Sequence, residues 1–239
     1  MNILITGGCG YTGTLLTEDL LKIGHNITVV DVQWFGNYLL PRKNLNIIKL
    51  DIREHEKIPL KGIDIVIHLA SIANDPSVEL NHQLSWEVNV LATQKLIENS
   101  VKYKVKQFIF ASSGSVYGVK EEKDVTEDLS LVPISTYNKT KMISERIIKS
   151  YENDIKFHSI RPATVCGFSP RMRLDVSVNM FAFQALKSKS MSVFGGNQIR
   201  PNIHIKDIAK AYEFLINASA NKINGEIFNV GYENQSVLE

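Results

Sequence analysis

Residues 1–31, MNILITGGCGYTGTLLTEDLLKIGHNITVVD, decide how the rest of the chain is read. An apolar run, NILIT at 2–6, meets four glycines, Gly7, Gly8, Gly10 and Gly13, where the helical pattern TLLTEDLLKI begins. Glycine inside a regular element is costly, so four together signal a backbone that turns sharply and lies close to something. The stretch predicts strand, tight turn and helix, with free first-turn N–H groups and the positive end of the helix dipole facing whatever the turn holds.

Similar apolar runs recur at 27–31 (ITVVD), 47–50 (IIKL), 63–69 (IDIVIHL), 107–112 (QFIFAS) and 156–162 (KFHSIRP). They are apolar on both faces and mostly separated by helical patterns, which predicts a parallel sheet wrapped by helices on both sides: an α/β, Rossmann-type, doubly wound fold. After Gly167 the rhythm changes to a loop rich in Arg and Pro, an apolar helix-like stretch at 176–186, and short strands. We therefore expect a dinucleotide-binding domain over 1–167 that carries the catalytic residues. A small second lobe follows over 168–239, with some segments returning to the first domain.

A dinucleotide suits the glycine turn, because the glycines let a pyrophosphate approach the backbone at the helix N-terminus. Asp31 ends the second run 18 residues after Gly13, close to the spacing expected of a carboxylate that binds the ribose hydroxyls. An Asp that merely opens a turn would read the same way. A carboxylate there repels a 2′-phosphate, and no Arg or Lys follows until Arg42, so NAD is expected over NADP. Asp51, ending the next strand, reads equally as an adenine-edge residue or a turn residue. Trp34 and Phe35 read as loop packing.

Composition excludes several classes. Across 239 residues, 44% are hydrophobic and the net charge is +2 with no basic block, so a packed core is expected and nucleic acid is not a partner. Two cysteines, Cys9 and Cys166, are too few for a disulfide framework, and the six histidines do not fall at ligand spacing, so no metal site is expected. No apolar stretch approaches the roughly 20 residues of a membrane span, and Met1 leads straight into the first strand without a charged leader; the expectation is a cytoplasmic protein with no membrane association.

FASSGSVYG at 110–118 puts Ser112, Ser113 and Ser115 at the C-terminal end of a central strand, where open α/β sheets bind their ligands. In STYNKTKMISERII at 135–148, Tyr137 and Lys141 are four apart and share one helix face. A phenol beside an ammonium, with the positive nicotinamide nearby, is expected to favour the phenolate and act near neutral pH. Tyr137 would exchange a proton with a substrate hydroxyl, Ser113 would bind the developing carbonyl oxygen, and Lys141 would tune Tyr137 and hold the nicotinamide ribose.

With these pieces in place the chain resembles, over essentially all its length, an extended short-chain dehydrogenase/reductase of the NAD-dependent epimerase/dehydratase family. The matching segments are GGCGYTG, Asp31, DIR at 51–53, HLAS at 68–71, WEVNV around Asn89, SSGSVYG, YNKTK, RPATVCG at 161–167 and RPNIHIKDIAKA at 200–211. The resemblance implies Ser113, Tyr137 and Lys141 as catalytic. It implies NAD contacts from Gly7, Gly10, Tyr11, Thr12 and Gly13 in the turn, from Asp31, Asp51 and Ile52 after the next strands, from Leu69, Ala70 and Ser71, and from Tyr137 and Lys141. It further implies a nucleotide-sugar substrate held by the 168–239 lobe, with Ser113, Ser115, Thr164, Asn179 and Arg200 on the substrate side, Arg200 clamping the pyrophosphate, and with further substrate contacts that family members usually supply from a longer C-terminal segment. A homodimer built on the helix around 89–100 and the Tyr137 helix is implied as well.

Two departures from the family pattern narrow the activity. Family 4-epimerases often have Asn where Thr164 stands. Dehydratases usually carry an Asp-Glu pair after the catalytic Thr, whereas Gly114 and Ser115 follow Ser113 here, which disfavours dehydration. The expected function is an NAD-dependent nucleotide-sugar epimerase that oxidises a ring hydroxyl transiently. A nucleotide-keto-sugar reductase and a non-catalytic NAD sensor on the same fold are the alternatives.

Overall fold

The architecture comes from a computed structural model, which describes residues 1–218 and 224–238. Ten strands are present among these: β1 Asn2–Thr6, β2 Asn26–Asp31, β3 Leu45–Lys49, β4 Ile65–His68, β5 Gln107–Ala111, β6 Lys156–Pro162, β7 Thr164–Cys166, β8 Ile199–His204, β9 Ile227–Val230 and β10 Glu233–Ser236. The helices are α1 Tyr11–Lys22, α2 Asp75–Glu79, α3 His82–Trp86, α4 Ala92–Lys102, α5 Thr136–Lys149, α6 Ser177–Ser188 and α7 Ile205–Asn217.

Seven strands pair side by side in the order β3-β2-β1-β4-β5-β6-β9, every pair parallel. Alternation along each strand splits the apolar side chains between two cores. Ile3, Ile5, Ile65, Ile67, Ile109 and Ile160 face one side, under α1 and α7. Leu4, Val66, Phe108, Phe110 and Phe157 face the other, under α4 and α5. Burial on both faces is why these strands read as continuous apolar runs. Strand order reverses between β1 and β4, so the chain leaves these neighbours in opposite directions and opens a crevice at their C-terminal ends.

A smaller sheet, β10-β8-β7, has β8 antiparallel to β10 and parallel to β7. The boundary expected at residue 167 does not coincide with a change of sheet. β7, just before it, already belongs to the small sheet, whereas α7 and β9, well after it, belong to the large layer. Ile205, Ile208, Tyr212 and Leu215 of α7 are buried in the same core as Leu16 and Leu20 of α1. No described helix is long and apolar enough to cross a membrane.

Candidate active site

The glycine turn closes the crevice from below. Gly7 has φ +76°, and a Cβ there would lie 2.6 Å from the Ala70 nitrogen; at Gly13 it would lie 2.2 Å from the Gly7 carbonyl oxygen. Both positions exclude any side chain, one because β1 and the β4 exit run together, the other because α1 packs directly on the turn. Gly10 caps α1 without a side-chain hydrogen bond, so the first-turn N–H groups stay available, as a phosphate requires. Asp31 stands beside them, Oδ2 accepting from the Cys9 N–H at 3.0 Å and Oδ1 from the Gln33 N–H at 2.7 Å. Each carboxylate oxygen keeps lone-pair capacity for a ribose hydroxyl. Together the cradle and the carboxylate match a dinucleotide in shape and chemistry.

Ser113, at the end of β5, caps a 3₁₀ turn, Gly114–Tyr117, its Oγ accepting from the Ser115 N–H at 3.3 Å. α5 begins at a Ser135 cap and brings the Tyr137 side chain near enough to Ser113 for that hydroxyl to act on its ionisation. One turn on, buried Lys141 donates from Nζ to the Ala111 carbonyl at 2.8 Å and lies 5.9 Å from the Tyr137 ring centroid. The three residues expected to carry chemistry thus meet at the C-terminal end of β5.

Their electrostatics differ from the sequence-based expectation. Burial pushes the Tyr137 phenol above its ordinary value, with the Arg173 charge and the Ser113 bond pulling it back. Burial also draws Lys141 down to about 7, against the opposing pull of Glu145. In the protein alone, desolvation therefore outweighs the ammonium, and the neutral phenol is favoured.

Arg173 is a candidate site residue that sequence reading missed. It lies on the loop between β7 and α6, close enough for its charge to act on both Tyr137 and Tyr11, and it pairs with Asp175 at 2.8 Å. No local pattern marks it, because the loop reaches the site only through long-range contacts. Tyr11 Oη donates to the Gly167 carbonyl at 2.6 Å, Ser169 Oγ donates to the Tyr11 carbonyl at 2.8 Å, and Asn74 bonds Asp175. The Arg171 guanidinium sits 3.9 Å from the Phe35 ring centroid. Phe35, read as loop packing, thus packs on this same loop.

Asn179, expected on the substrate side, is buried and internally engaged. Its Oδ1 accepts from the Gly167 N–H, and its Nδ2 donates to Tyr11 Oη and to the Arg173 carbonyl. Both amide protons are spent on holding the loop, so as placed the amide offers no donor to a ligand. Tyr11 likewise directs its hydroxyl to this loop and presents only backbone to the glycine turn. Ser71 donates to Asn89 Oδ1, which also fixes the Ile72 N–H.

Asp51 meets Arg53 through several short hydrogen bonds, which hold its carboxyl below the usual range although burial pushes it up. Ile52 is buried, and Thr12, Leu69, Ala70 and Thr164 are half-buried. Arg200 is exposed on β8 and forms no ion pair among the described residues. Burial pushes the Cys9 thiol up to about 12, which makes it an inert packing group. No cluster of metal-ligating side chains occurs among the described residues.

His68 illustrates what the crevice floor requires. Its Nδ1 is 2.6 Å from Thr6 Oγ1 and its Nε2 is 2.7 Å from Thr93 Oγ1. Thr93 spends its own proton on the Asn89 carbonyl, so Nε2 carries the hydrogen and Nδ1 accepts from Thr6. Burial lowers its pKa from 6.5 to about 3, with Lys141 adding to the shift. The folded state therefore binds fewer protons than the unfolded one, and this contribution to stability is complete above pH 6.5 and lost as pH falls toward 3. About 2 kcal/mol is expected to go between pH 7 and pH 5, at 1.36 kcal/mol per unit below 6.5. In urea melts at the two pH values, His68→Asn should shrink the difference by about that amount; an unchanged difference would show that His68 titrates normally.

A model of the family described as NAD dependent epimerase/dehydratase family matches residues 3–231. A Bacillus subtilis (strain 168) relative, an uncharacterized UDP-glucose epimerase called YtcB, is 34% identical over 257 residues, covering 100% of this chain and 79% of its own length. Among solved structures, the UDP-glucose 4-epimerase of Thermus thermophilus in complex with NAD superimposes with a TM-score of 0.88 at 26% identity, covering 100% of this chain and 80% of that one. The UDP-glucuronic acid 4-epimerase of Bacillus cereus, in complex with UDP-glucuronic acid and NAD, gives 0.87 at 29% identity with the same coverage.

Proposed function

The chain belongs to the NAD-dependent epimerase/dehydratase family, and from that membership we propose that it is a nucleotide-sugar epimerase. The observation that carries the reading is the meeting of Ser113, Tyr137 and Lys141 at the end of β5, beside the glycine cradle and Asp31. When bound, NAD supplies the acceptor that takes hydride from the sugar carbon and returns it to the opposite face. Tyr137 takes the proton of the sugar hydroxyl and gives it back after the ring has turned. Ser113 holds the reacting oxygen, and Lys141 and Arg173 supply the positive charge that opposes the burial of the phenolate. Arg200, exposed on β8, is assigned to the nucleotide pyrophosphate, a role suited to a guanidinium fork.

UDP-sugars come first among substrates because the solved relatives named above are UDP-sugar epimerases. A homodimer through α4 and α5 belongs to the same proposal. The test is incubation of the protein and NAD with UDP-, GDP-, CDP- and dTDP-sugars, following epimer formation and reduced-nicotinamide absorbance. Epimer without net reduction supports the proposal. Net reduction points to a keto-sugar reductase, and silence to an NAD-sensing protein.

Asp31 makes a separable prediction about the cofactor. NAD is expected to bind more tightly than NADP, and Asp31→Ala to narrow the gap by about tenfold, the scale of removing one like charge from the phosphate. Calorimetric titration with both dinucleotides checks this. Preference for NADP in the parent protein would remove Asp31 from the ribose.

A further inference from the structure

The segment 167–175, between β7 and α6, is fastened at three places around the dinucleotide crevice. After β1, Tyr11 Oη donates to the Gly167 carbonyl, and buried Ser169 donates back to the Tyr11 carbonyl. After β4, Asn74 donates from its amide to the Asp175 carboxylate. After β2, the Arg171 guanidinium lies over the Phe35 ring, 3.9 Å from its centroid. The Gly167 N–H and the Arg173 carbonyl both bond the Asn179 side chain, which draws the two ends of the segment together into a loop. Strand order reverses between β1 and β4, and Asp31 ends β2, so a loop held after all three strands spans the mouth of the crevice.

The fastenings are unequal. Tyr11, Ser169 and Asn179 are buried and hold the base of the loop, whereas Phe35 is 64% exposed and meets the outer part. Its turn is built on the ribose carboxylate: the Gln33 N–H bonds Asp31 Oδ1, and the Gly36 N–H bonds the Gln33 carbonyl at 3.0 Å. Arg171 enters no ion pair among the described residues, and its Nη1 donates to the adjacent Met172 carbonyl at a long 3.4 Å. A cation over an exposed ring is a weak contact that opens and closes readily.

We propose that Arg171 and Phe35 form the latch of a strap, residues 167–175, whose opening admits NAD to the crevice and releases it. The latch joins two protein groups and uses nothing from the ligand, so it closes with or without the dinucleotide. Undoing it speeds entry and exit by the same factor and leaves affinity where it was. A side chain that gripped NAD directly would behave differently, its loss speeding exit alone and weakening binding. The strap keeps reduced cofactor in place between removal and return of hydride, and only in that consequence does it rest on the proposed function.

Stopped-flow mixing with NADH, followed through its fluorescence, gives the association rate constant, and a chase with excess NAD gives the dissociation rate constant. Phe35→Ala carries the test, because it changes no charge and, at an exposed position, leaves no cavity in the core. Both rate constants are expected to rise about two- to fivefold, the scale of one exposed cation–π contact, with their ratio unchanged. Phe35→Tyr keeps a ring face and should behave as the parent does. In an Arg171→Gln background, Phe35→Ala should change neither rate constant, because the latch is already open; that comparison also cancels the effect of the lost charge on an anionic ligand.

Unchanged rate constants in Phe35→Ala overturn the latch. Faster exit with unchanged entry makes Phe35 a ligand contact and overturns the strap. The same acceleration by Phe35→Ala in both backgrounds overturns the pairing with Arg171, and a parent that binds no NADH overturns the strap together with the cradle. None of these readouts needs turnover, so a protein that epimerises nothing still decides the strap, and a failed strap leaves the epimerase reading to its own test.

Discussion

Tyr137→Phe is expected to lower turnover by about a hundredfold or more while NAD remains bound, the scale of losing a general acid/base. The ring stays where it is, because its packing against the core under α5 does not depend on the hydroxyl. What goes is the oxygen that exchanges a proton with the sugar. Ser113→Ala should cost less, since it removes a hydrogen-bond partner and leaves the base in place. Steady-state rates with a sugar nucleotide from the panel, together with NAD titration of the same samples, check both statements. Comparable turnover in Tyr137→Phe and the parent would remove the phenol from proton transfer.

The second large effect concerns stability and the support behind the site. Arg161 and Glu145 form an ion pair with both side chains only 3% exposed, through bonds of 2.9 and 2.7 Å. Arg161 Nη1 also donates to Tyr117 Oη at 2.6 Å, and Tyr117 Oη donates to Asn229 Oδ1 at 2.7 Å. One network thereby ties α5, which carries Tyr137 and Lys141, to β6, to β9 and to the turn that follows Ser113. Glu145→Ala would strand a buried guanidinium, at a cost of about 3–5 kcal/mol. For a protein of this size that lowers Tm by roughly 10 °C. Replacing both partners, as in Glu145→Leu with Arg161→Leu, should cost less than the single change, because no charge is left unpaired. A single variant that melts within a degree or two of the parent would mean that the pair is solvated.

The pieces of the fold that sequence reading located are those whose signal is local. NILIT and KFHSIRP coincide with β1 and β6 residue for residue; in β1 the buried run Ile3-Leu4-Ile5 is apolar on both faces, whereas β6 buries His158, Ser159 and Arg161 beside Phe157 and Ile160. The glycine turn was legible because close approach of backbone to backbone leaves no choice of residue at Gly7 and Gly13. Tyr137 and Lys141 could be brought together by helical spacing alone.

What was not legible depends on partners distant in sequence. IFNV at 227–230 looks like any short strand, and only its pairing with β6 makes β9 the seventh strand of the main sheet. Arg173 and Asn179 acquire their roles through Tyr11, more than 150 residues away, and no motif announces such a contact. The raised phenol of Tyr137 and the lowered ammonium of Lys141 in the protein alone were not legible, because spacing shows only that the two are near, while burial, the largest cause for both, is a property of the assembled core.

The central claim is that the sugar is oxidised and re-reduced at a single carbon, and one labelling measurement addresses it most directly. A nucleotide sugar carrying deuterium on the carbon to be inverted is incubated with the protein and NAD, and the epimer is analysed by mass spectrometry and proton NMR. The account predicts epimer with the deuterium kept at that carbon and no accumulation of free reduced nicotinamide. Epimer in which that deuterium has been exchanged for solvent hydrogen would contradict it, since inversion would then proceed by proton removal from carbon.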